Sequence, residues 1–150
     1  MRRLKKKYSK PFRPWDEERL IEEKKMMKKY GLKRKKELWV SEAILRKFRR
    51  MAREAAAKND ENLKNTLIKK LYKLGILEIN ADLASVLNLT VEDILKRRLQ
   101  TILFNKNLAK SIKHARQLIT HKKVFIGDRI VPFPSYLVGR EEENYIRVSQ

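Results

Sequence analysis

One stretch, Arg97 to Val138, constrains the fold of this chain more than any other, because it runs basic amphipathic helices into a short hairpin and holds no catalytic constellation. Val124-Phe125-Ile126, a Gly127-Asp128 pair and Arg129-Ile130-Val131 give the hairpin: two apolar runs of strand type around two residues suited to positive φ. Pro132 and Pro134 place the next segment at a sheet edge. Tyr136 to Val138 and Tyr145 to Val148 are further short strand candidates, separated by a turn at Gly139 and the acidic run Glu141 to Glu143. Between Asp16 and Ile119 the apolar residues recur at helical spacing. The fold class is therefore α+β, an N-terminal helical region followed by a short antiparallel sheet.

Asp16 can cap a helix running through Tyr30, with Glu17 and Glu18 in its positive first turn, Lys28 and Lys29 in its last, and Gly31 as the left-handed stop. A second helix, Glu37 to about Ala57, lines up Leu38, Leu45, Phe48, Ala52 and Ala55 as a core face. Arg46, Arg49, Arg50 and Arg53 repeat on another face; with no acid among them they repel one another, so a phosphate-facing stripe is expected. After Asn59-Asp60, the residues Leu63, Leu67, Leu71 and Leu74 form a third stripe, ended by Gly75. Leu83, Val86 and Leu87 suggest a short turn stopped at Asn88. Thr90 with Asp93 then opens a single helix that carries Ile94, Leu95, Leu99, Ile102 and Leu103 inward and leaves Lys96, Arg97, Arg98 and Gln100 for other faces. Asn107 marks a stop, and Ser111 caps a helix through Ile119 whose Ile112, Ala115 and Ile119 face the core while Lys113 and Arg116 lie together outside.

Charge narrows the partner. The net charge is +20, distributed as +14 over residues 1–53, −1 over residues 54–96 and +7 over residues 97–150, so two basic flanks surround a neutral, apolar centre. A polyanion is the natural counterpart of such a body, and nucleic acid is the first candidate. The opening to Pro14 is too poor in apolar residues to fold alone and reads as an arm that orders on a partner. Its cations, Arg2, Arg3, Lys5, Lys6, Lys7 and Arg13, are expected to touch RNA, as is the run Lys33, Arg34, Lys35 and Lys36. No apolar run approaches the ~18 residues of a membrane span, and the basic start lacks the apolar stretch of a secretory signal. A soluble, intracellular protein is expected. Cysteine is absent, which leaves no disulfide framework and no thiolate zinc site.

Several residues outside this picture could suggest chemistry. His114 and His121 lack a convergent carboxylate motif and are expected to act as hydrogen bonders, His121 at an RNA edge. Glu141 to Glu143 are adjacent in a turn and read as a solvated acidic cluster or a protein-contact patch. Trp15 and Trp39 are read as packing residues. The four glycines are isolated, so nothing cradles a nucleotide phosphate. No catalytic residue, metal ligand or cofactor is expected, and the chain is read as a non-enzyme.

The runs RRLQT at Arg97 to Thr101, LAKS at Leu108 to Ser111, ARQLI at Ala115 to Ile119, His121 and PSYLV at Pro134 to Val138 together resemble the RNA-binding domain named after small-subunit ribosomal protein S-four. Pro14-Trp15 with Glu18-Arg19-Leu20, YGLKRKKELW at Tyr30 to Trp39, FRRMAR at Phe48 to Arg53 and LTVEDILKRRLQT at Leu89 to Thr101 are similar to the archaeal form of that family. The resemblance covers nearly the whole length. It implies a basic arm over residues 1–14, a helical region over 15–96 and, over 97–150, an RNA-binding domain of two helices and a short antiparallel sheet.

It also implies a structural constituent of the small ribosomal subunit that binds small-subunit ribosomal RNA at a helix junction in its 5′ region. Such a protein nucleates assembly of the subunit body, neighbours other small-subunit proteins and helps line the path by which messenger RNA (mRNA) enters. On the matched positions, Arg97, Arg98, Lys110, Ser111, Lys113, Arg116, Gln117, His121, Lys122 and Lys123 are expected to approach RNA. The family usually has Gly at the positions of Asn107 and Lys122, so the second of these turns must tolerate a side chain, and its usual Asn-Gly turn is here Gly127-Asp128. Relatives of archaeal type commonly run on past the position of Gln150, and contacts made by that tail lie outside this sequence. The competing reading is a free-standing RNA chaperone or stress factor built on the same domain.

Overall fold

The computed structural model describes residues 6–149. Arg2, Arg3 and Lys5 of the expected arm lie outside the described residues. Helix α1 spans Glu17–Lys29 and is capped by Asp16, whose carboxylate accepts the Arg19 N–H. Gly31 (φ 59°) ends it, and the Leu32 N–H reaches back to the Met27 carbonyl at 2.9 Å. That left-handed residue with a six-to-one bond behind it satisfies carbonyls a helix end would otherwise expose. The same device recurs at Asn59 (φ 48°) after α2 (Lys35–Lys58) and at Gly75 (φ 67°) after α3 (Glu61–Lys73). Helix α2 starts two residues earlier than its sequence suggests, because the Glu37 carboxylate accepts the Lys33 N–H at 3.3 Å and closes the first turn.

Helix α2 buries Leu38, Leu45, Phe48, Ala52 and Ala55 as its spacing requires. On α3 the buried stripe runs Leu67, Ile68 and Leu71, and its axis leaves Leu63 at an exposed rim. Helix α4 (Leu83–Asn88) follows, but Asn88 is not its left-handed stop: it stays helical and Leu89 leaves the helix in extended backbone (φ −55°, ψ 140°). Thr90 then opens α5 (Val91–Lys96), its N–H donating to Asp93 at 3.0 Å.

The single helix expected from Thr90 onward is two. Helix α6 spans Leu99–Asn105, and between it and α5 Arg98 is extended (φ −70°, ψ 140°). The cause is a tertiary backbone pairing: the Leu99 N–H donates to the Tyr136 carbonyl at 2.8 Å and the Val138 N–H to the Arg97 carbonyl at 3.0 Å. The expected strand at Tyr136 to Val138 is therefore spent as a bridge to Arg98 and does not join the sheet. Even so, Ile94, Leu95, Leu99, Ile102 and Leu103 all reach the core.

Asn107 (φ 57°) stops α6, and Ser111 caps α7 (Ile112–Thr120) by accepting the His114 N–H at 3.1 Å. Lys122 (φ 59°) is the left-handed stop of α7, with Lys123 N–H to Leu118 carbonyl at 3.0 Å. The chain then forms β1 (Val124–Ile126), β2 (Arg129–Ile130) and, after a 3-10 turn at Glu142–Tyr145, β3 (Ile146–Val148). The antiparallel order is β2-β1-β3, with Phe125 opposite both Ile130 and Arg147. In the hairpin only Gly127 (φ 60°) takes positive φ, and Asp128 does not.

Leu99, Leu103, Ala115, Ile119, Val124 and Val138 centre one apolar cluster under the sheet; Leu45, Phe48, Leu67, Leu71, Val86 and Ile94 centre another among α2 to α5. Tyr30, Leu32, Leu38 and Leu95 form a third that ties the turn after α1 to α5. Among the described residues no helix is long and apolar enough to cross a membrane.

Candidate nucleic-acid interface

Three segments distant in sequence meet at Gln100. Its side chain is fully buried, and Nε2 donates to the carbonyls of Gly31 (3.1 Å) and Ile112 (3.0 Å). A Cβ on Gly31 would stand 2.3 Å from Ile112 Cγ2, so only glycine allows the turn after α1 to lie against the start of α7. The two basic segments that result, around Lys33 and around Lys113, share one open groove of about 590 Å³. Lys28, Lys33, Lys113, Arg116, Gln117 and Thr120 supply its polar lining, Met27 and Leu32 its apolar floor, and no acid lines it. Lys110, Ser111, Gln117, His121, Lys122 and Lys123 continue the exposed surface along α7 and its end.

Behind the groove sits Glu37. Its carboxylate accepts from both ends of the Arg116 guanidinium (3.1 and 2.9 Å) and from Arg98 Nη2 at 2.5 Å. Burial pushes the Glu37 carboxyl up, but the hydrogen bond from Arg116 and the charge of Arg98 outweigh it and hold the group below its ordinary value. For Arg98 burial dominates in the other direction, lowering its pKa against the pull of Glu37.

This arrangement corrects several sequence expectations. Arg98 and Gln100, read as surface residues, are buried at 3% and 0% exposure, so Arg98 does not face a ligand. Arg97 is turned inward as well: Nη1 donates to Glu143 at 2.8 Å and Nη2 to the Val138 carbonyl at 3.0 Å. In the arginine stripe of α2, Arg49 is half-buried and donates to the Leu89 carbonyl at 2.6 Å, whereas Arg50 stays exposed while pairing with Glu54 one turn on at 3.4 Å. Arg46 and Arg53 are exposed.

Lys35 bends toward the buried Glu23 (3.0 Å), while Lys33, Arg34 and Lys36 stay exposed, the last with its ammonium 5.4 Å over the Tyr8 ring. Lys6, Lys7 and Arg13 are exposed. His121 is exposed too, and His114 is half-buried with Nδ1 accepting the Lys110 N–H at 3.2 Å.

Of the acidic run, Glu141 is exposed as a solvated cluster requires, but Glu142 and Glu143 are engaged within the fold. Glu142 accepts from the Tyr136 hydroxyl (2.9 Å) and the Gly139 N–H (3.0 Å) and pairs with Arg129, while Glu143 holds Arg97. Lys106 Nζ donates to the Glu143 carbonyl, which fixes the 3-10 turn against α6. Adjacent carboxylates look like a surface cluster in sequence; the cations they serve come from 13 and 46 positions away.

Trp39 is half-buried with Nε1 donating to Glu23 at 3.1 Å, whereas Trp15, read as a packing residue, is 76% exposed. Lys28 carries no sequence signal of a groove residue, since its place in the last turn of α1 has a sufficient reason in the helix dipole. Among the described residues no group of three or more His, Asp or Glu is placed to hold a metal.

The surface therefore offers ammonium groups, a hydroxyl, an amide and an imidazole along one helix and its neighbouring turn, held on a scaffold of part-buried ion pairs. That is the donor set of phosphate and 2′-hydroxyl recognition. The family model for the S4 domain matches residues 97–144. Over 148 residues the chain is 50% identical to small ribosomal subunit protein uS4 of Ignicoccus hospitalis, covering 97% of this chain and 89% of that protein. It is 48% identical over 151 residues to the protein of the same name from Nanoarchaeum equitans, covering 97% and 84%, and 50% identical over 147 residues to that of Thermoplasma acidophilum, covering 94% and 74%.

Proposed function

This chain belongs to the small ribosomal subunit protein uS4 family, in its archaeal type, and from that premise we propose that it is a structural, non-catalytic constituent of the small ribosomal subunit, working in the cytoplasm. It binds small-subunit ribosomal RNA directly, at a helix junction in the 5′ region, and nucleates assembly of the subunit body. Neighbouring small-subunit proteins are its other partners, and its exposed basic face helps line the path by which messenger RNA enters.

The observation that carries this reading is the groove between the turn at Lys33 and helix α7, lined by lysines and Arg116 with no acid. Cations on two elements set at a fixed angle suit a junction, where two phosphate backbones converge and are read by shape and 2′-hydroxyls. Arg116, still one-quarter exposed, and the exposed residues Lys110, Ser111, Lys113, Gln117, His121, Lys122 and Lys123 are the contacts proposed on α7 and at its two ends. Lys33, Arg34, Lys36, Arg46, Arg53, Lys6, Lys7 and Arg13 extend the footprint.

The test is twofold. The protein should bind a transcript of the 5′ region of small-subunit ribosomal RNA in preference to an unrelated duplex of equal length. In cells it should sediment with small subunits at constant stoichiometry. A fraction that stays free and rises only under stress would favour the chaperone reading and overturn this one.

A further inference from the structure

Residues 8–15, Tyr-Ser-Lys-Pro-Phe-Arg-Pro-Trp, are tethered on both sides of a ring that stands in solvent. On one side Tyr8 lies against Trp39, ring centroids 6.0 Å apart, with Lys36 over its face. On the other, Arg19 Nη2 donates to the Arg13 carbonyl at 3.0 Å and the Pro14 carbonyl at 3.4 Å, and Arg19 Nη1 is itself held by the buried Glu23 at 3.1 Å. Pro11 and Pro14 fix φ at two of the positions between. The backbone is thus held while Phe12 is 94% exposed and Trp15 76% exposed. Two large rings in water on a tethered segment contribute nothing to the fold and mark an interaction surface.

Charge identifies the partner. Lys10 and Arg13 alternate with the rings, and the acids that follow Trp15, Asp16, Glu17 and Glu18, belong to the cap and first turn of α1, beyond the segment. A protein groove for two aromatic rings needs only apolar walls, whereas rings alternating with cations match a strand of bases spaced by phosphates.

We propose that Phe12 and Trp15 form a stacking platform for unpaired bases of the RNA, with Lys10 and Arg13 on the intervening phosphates. This rests on the reading that the chain binds small-subunit ribosomal RNA, and adds to it a single-stranded element that the groove at α7 does not supply. Stacking uses the π face of the base and is sequence-tolerant, so the platform selects unpaired over paired nucleotides and not one base over another.

The experiment uses the full chain, with Phe12→Leu, Trp15→Leu and the double variant, which keep apolar bulk and charge but remove the rings. The probes are the 5′-region transcript of small-subunit ribosomal RNA and a blunt RNA duplex of matched length, with tryptophan emission followed during titration. The double variant is expected to lose roughly tenfold or more in affinity for the transcript and less than about twofold for the duplex, the scale of base–aromatic stacking. Its salt dependence should match that of wild type because no phosphate contact is lost. Emission should be quenched on binding by wild type, and most of that quench should vanish in Trp15→Leu.

Unchanged affinity with no quench overturns the platform and leaves the ribosomal reading standing. Unchanged affinity for the transcript together with poor retention in reconstituted small subunits overturns it in favour of a protein partner. If wild type itself does not prefer the transcript over the duplex, the ribosomal reading fails first and the platform with it.

Discussion

Glu37 holds Arg116 through both guanidinium ends, at 2.9 and 3.1 Å, and thereby joins α2 to α7 across 79 positions of sequence. The same carboxylate neutralises Arg98, whose side chain is 4% exposed, so one acid balances two cations that would otherwise repel each other. Removing it leaves a buried guanidinium unpaired. Glu37→Gln is expected to cost about 3 kcal/mol of stability, the scale for breaking a buried ion pair from one side. Urea denaturation measures it, and a loss under about 1 kcal/mol would show that Arg98 finds another partner.

The pH dependence has its origin in the same contact. Glu37 and Glu23 both ionise more readily folded than unfolded, burial opposing and the Arg and Lys partners, with Trp39 at Glu23, prevailing. A carboxyl depressed by folding contributes stability that is present above its unfolded pKa and lost as pH falls through the folded one. The protein should therefore weaken steadily from the ordinary carboxylate range downward. In Glu37→Gln this acid-side slope should be shallower, and equal slopes for the two proteins in parallel denaturation series would remove Glu37 from the account.

Lys113 and Arg116 lie one helical turn apart on the groove and should respond differently to charge reversal. Lys113→Glu is expected to weaken RNA binding with little change in melting temperature, since Lys113 is exposed. Arg116→Glu places a second carboxylate against Glu37 and should lower both binding and stability. Filter binding beside thermal melts separates the two; a Lys113→Glu protein that binds as well as wild type would take α7 out of the interface.

How much of the molecule was legible in sequence depended on the distance over which each signal acts. Asp16, Ser111 and Asn107 do what their side chains dictate within one helical turn, Gly31 and Gly75 what the lack of one permits, and the hairpin around Gly127 needs only its own eight residues. The break at Arg98 depends on a segment about forty positions later and reverses a sound local pattern, because Leu99 finds the Tyr136 carbonyl instead of a helical one. The burial of Arg98 and the half-burial of Arg49 are hidden for a related reason: arginine is a surface residue unless paired, and their partners Glu37 and Leu89 lie 61 and 40 positions away. Trp15 failed the opposite way, since an aromatic beside a helix start usually packs and this one does not. At the candidate site, Lys113 is readable from its helical spacing with Arg116 and His121 from the family motif, while the groove that joins Lys113 to Lys28 and Lys33 requires the Gln100 bridge.

Lys122 occupies left-handed backbone at φ 59°, where a Cβ is strained and glycine is not. Lys122→Gly should raise stability by about 0.5 to 1 kcal/mol once the greater freedom of glycine in the unfolded chain is set against the relieved strain. Asn107→Gly, at φ 57°, should gain less, because asparagine tolerates this region. If Lys122 touches phosphate, the same substitution weakens RNA binding while strengthening the fold. Paired denaturation and binding measurements read both signs, and a destabilised Lys122→Gly protein would contradict the strain argument.

Salt tests the basic flanks as a whole. Ammonium and guanidinium groups on phosphates release counterions, so the logarithm of the association constant falls linearly with that of salt concentration. With roughly six or more phosphates neutralised, affinity for the ribosomal transcript should fall by about a thousandfold between ~50 and ~200 mM monovalent salt. A preference for the transcript over an unrelated duplex should survive at the higher concentration, because groove shape and 2′-hydroxyl contacts do not depend on counterions in the same way. A flat response would contradict a net charge of +20 concentrated at the two ends of the sequence. A steep response with no residual preference would mean that charge alone governs docking, and that the angle set between α7 and the turn at Lys33 has no part in choosing the RNA.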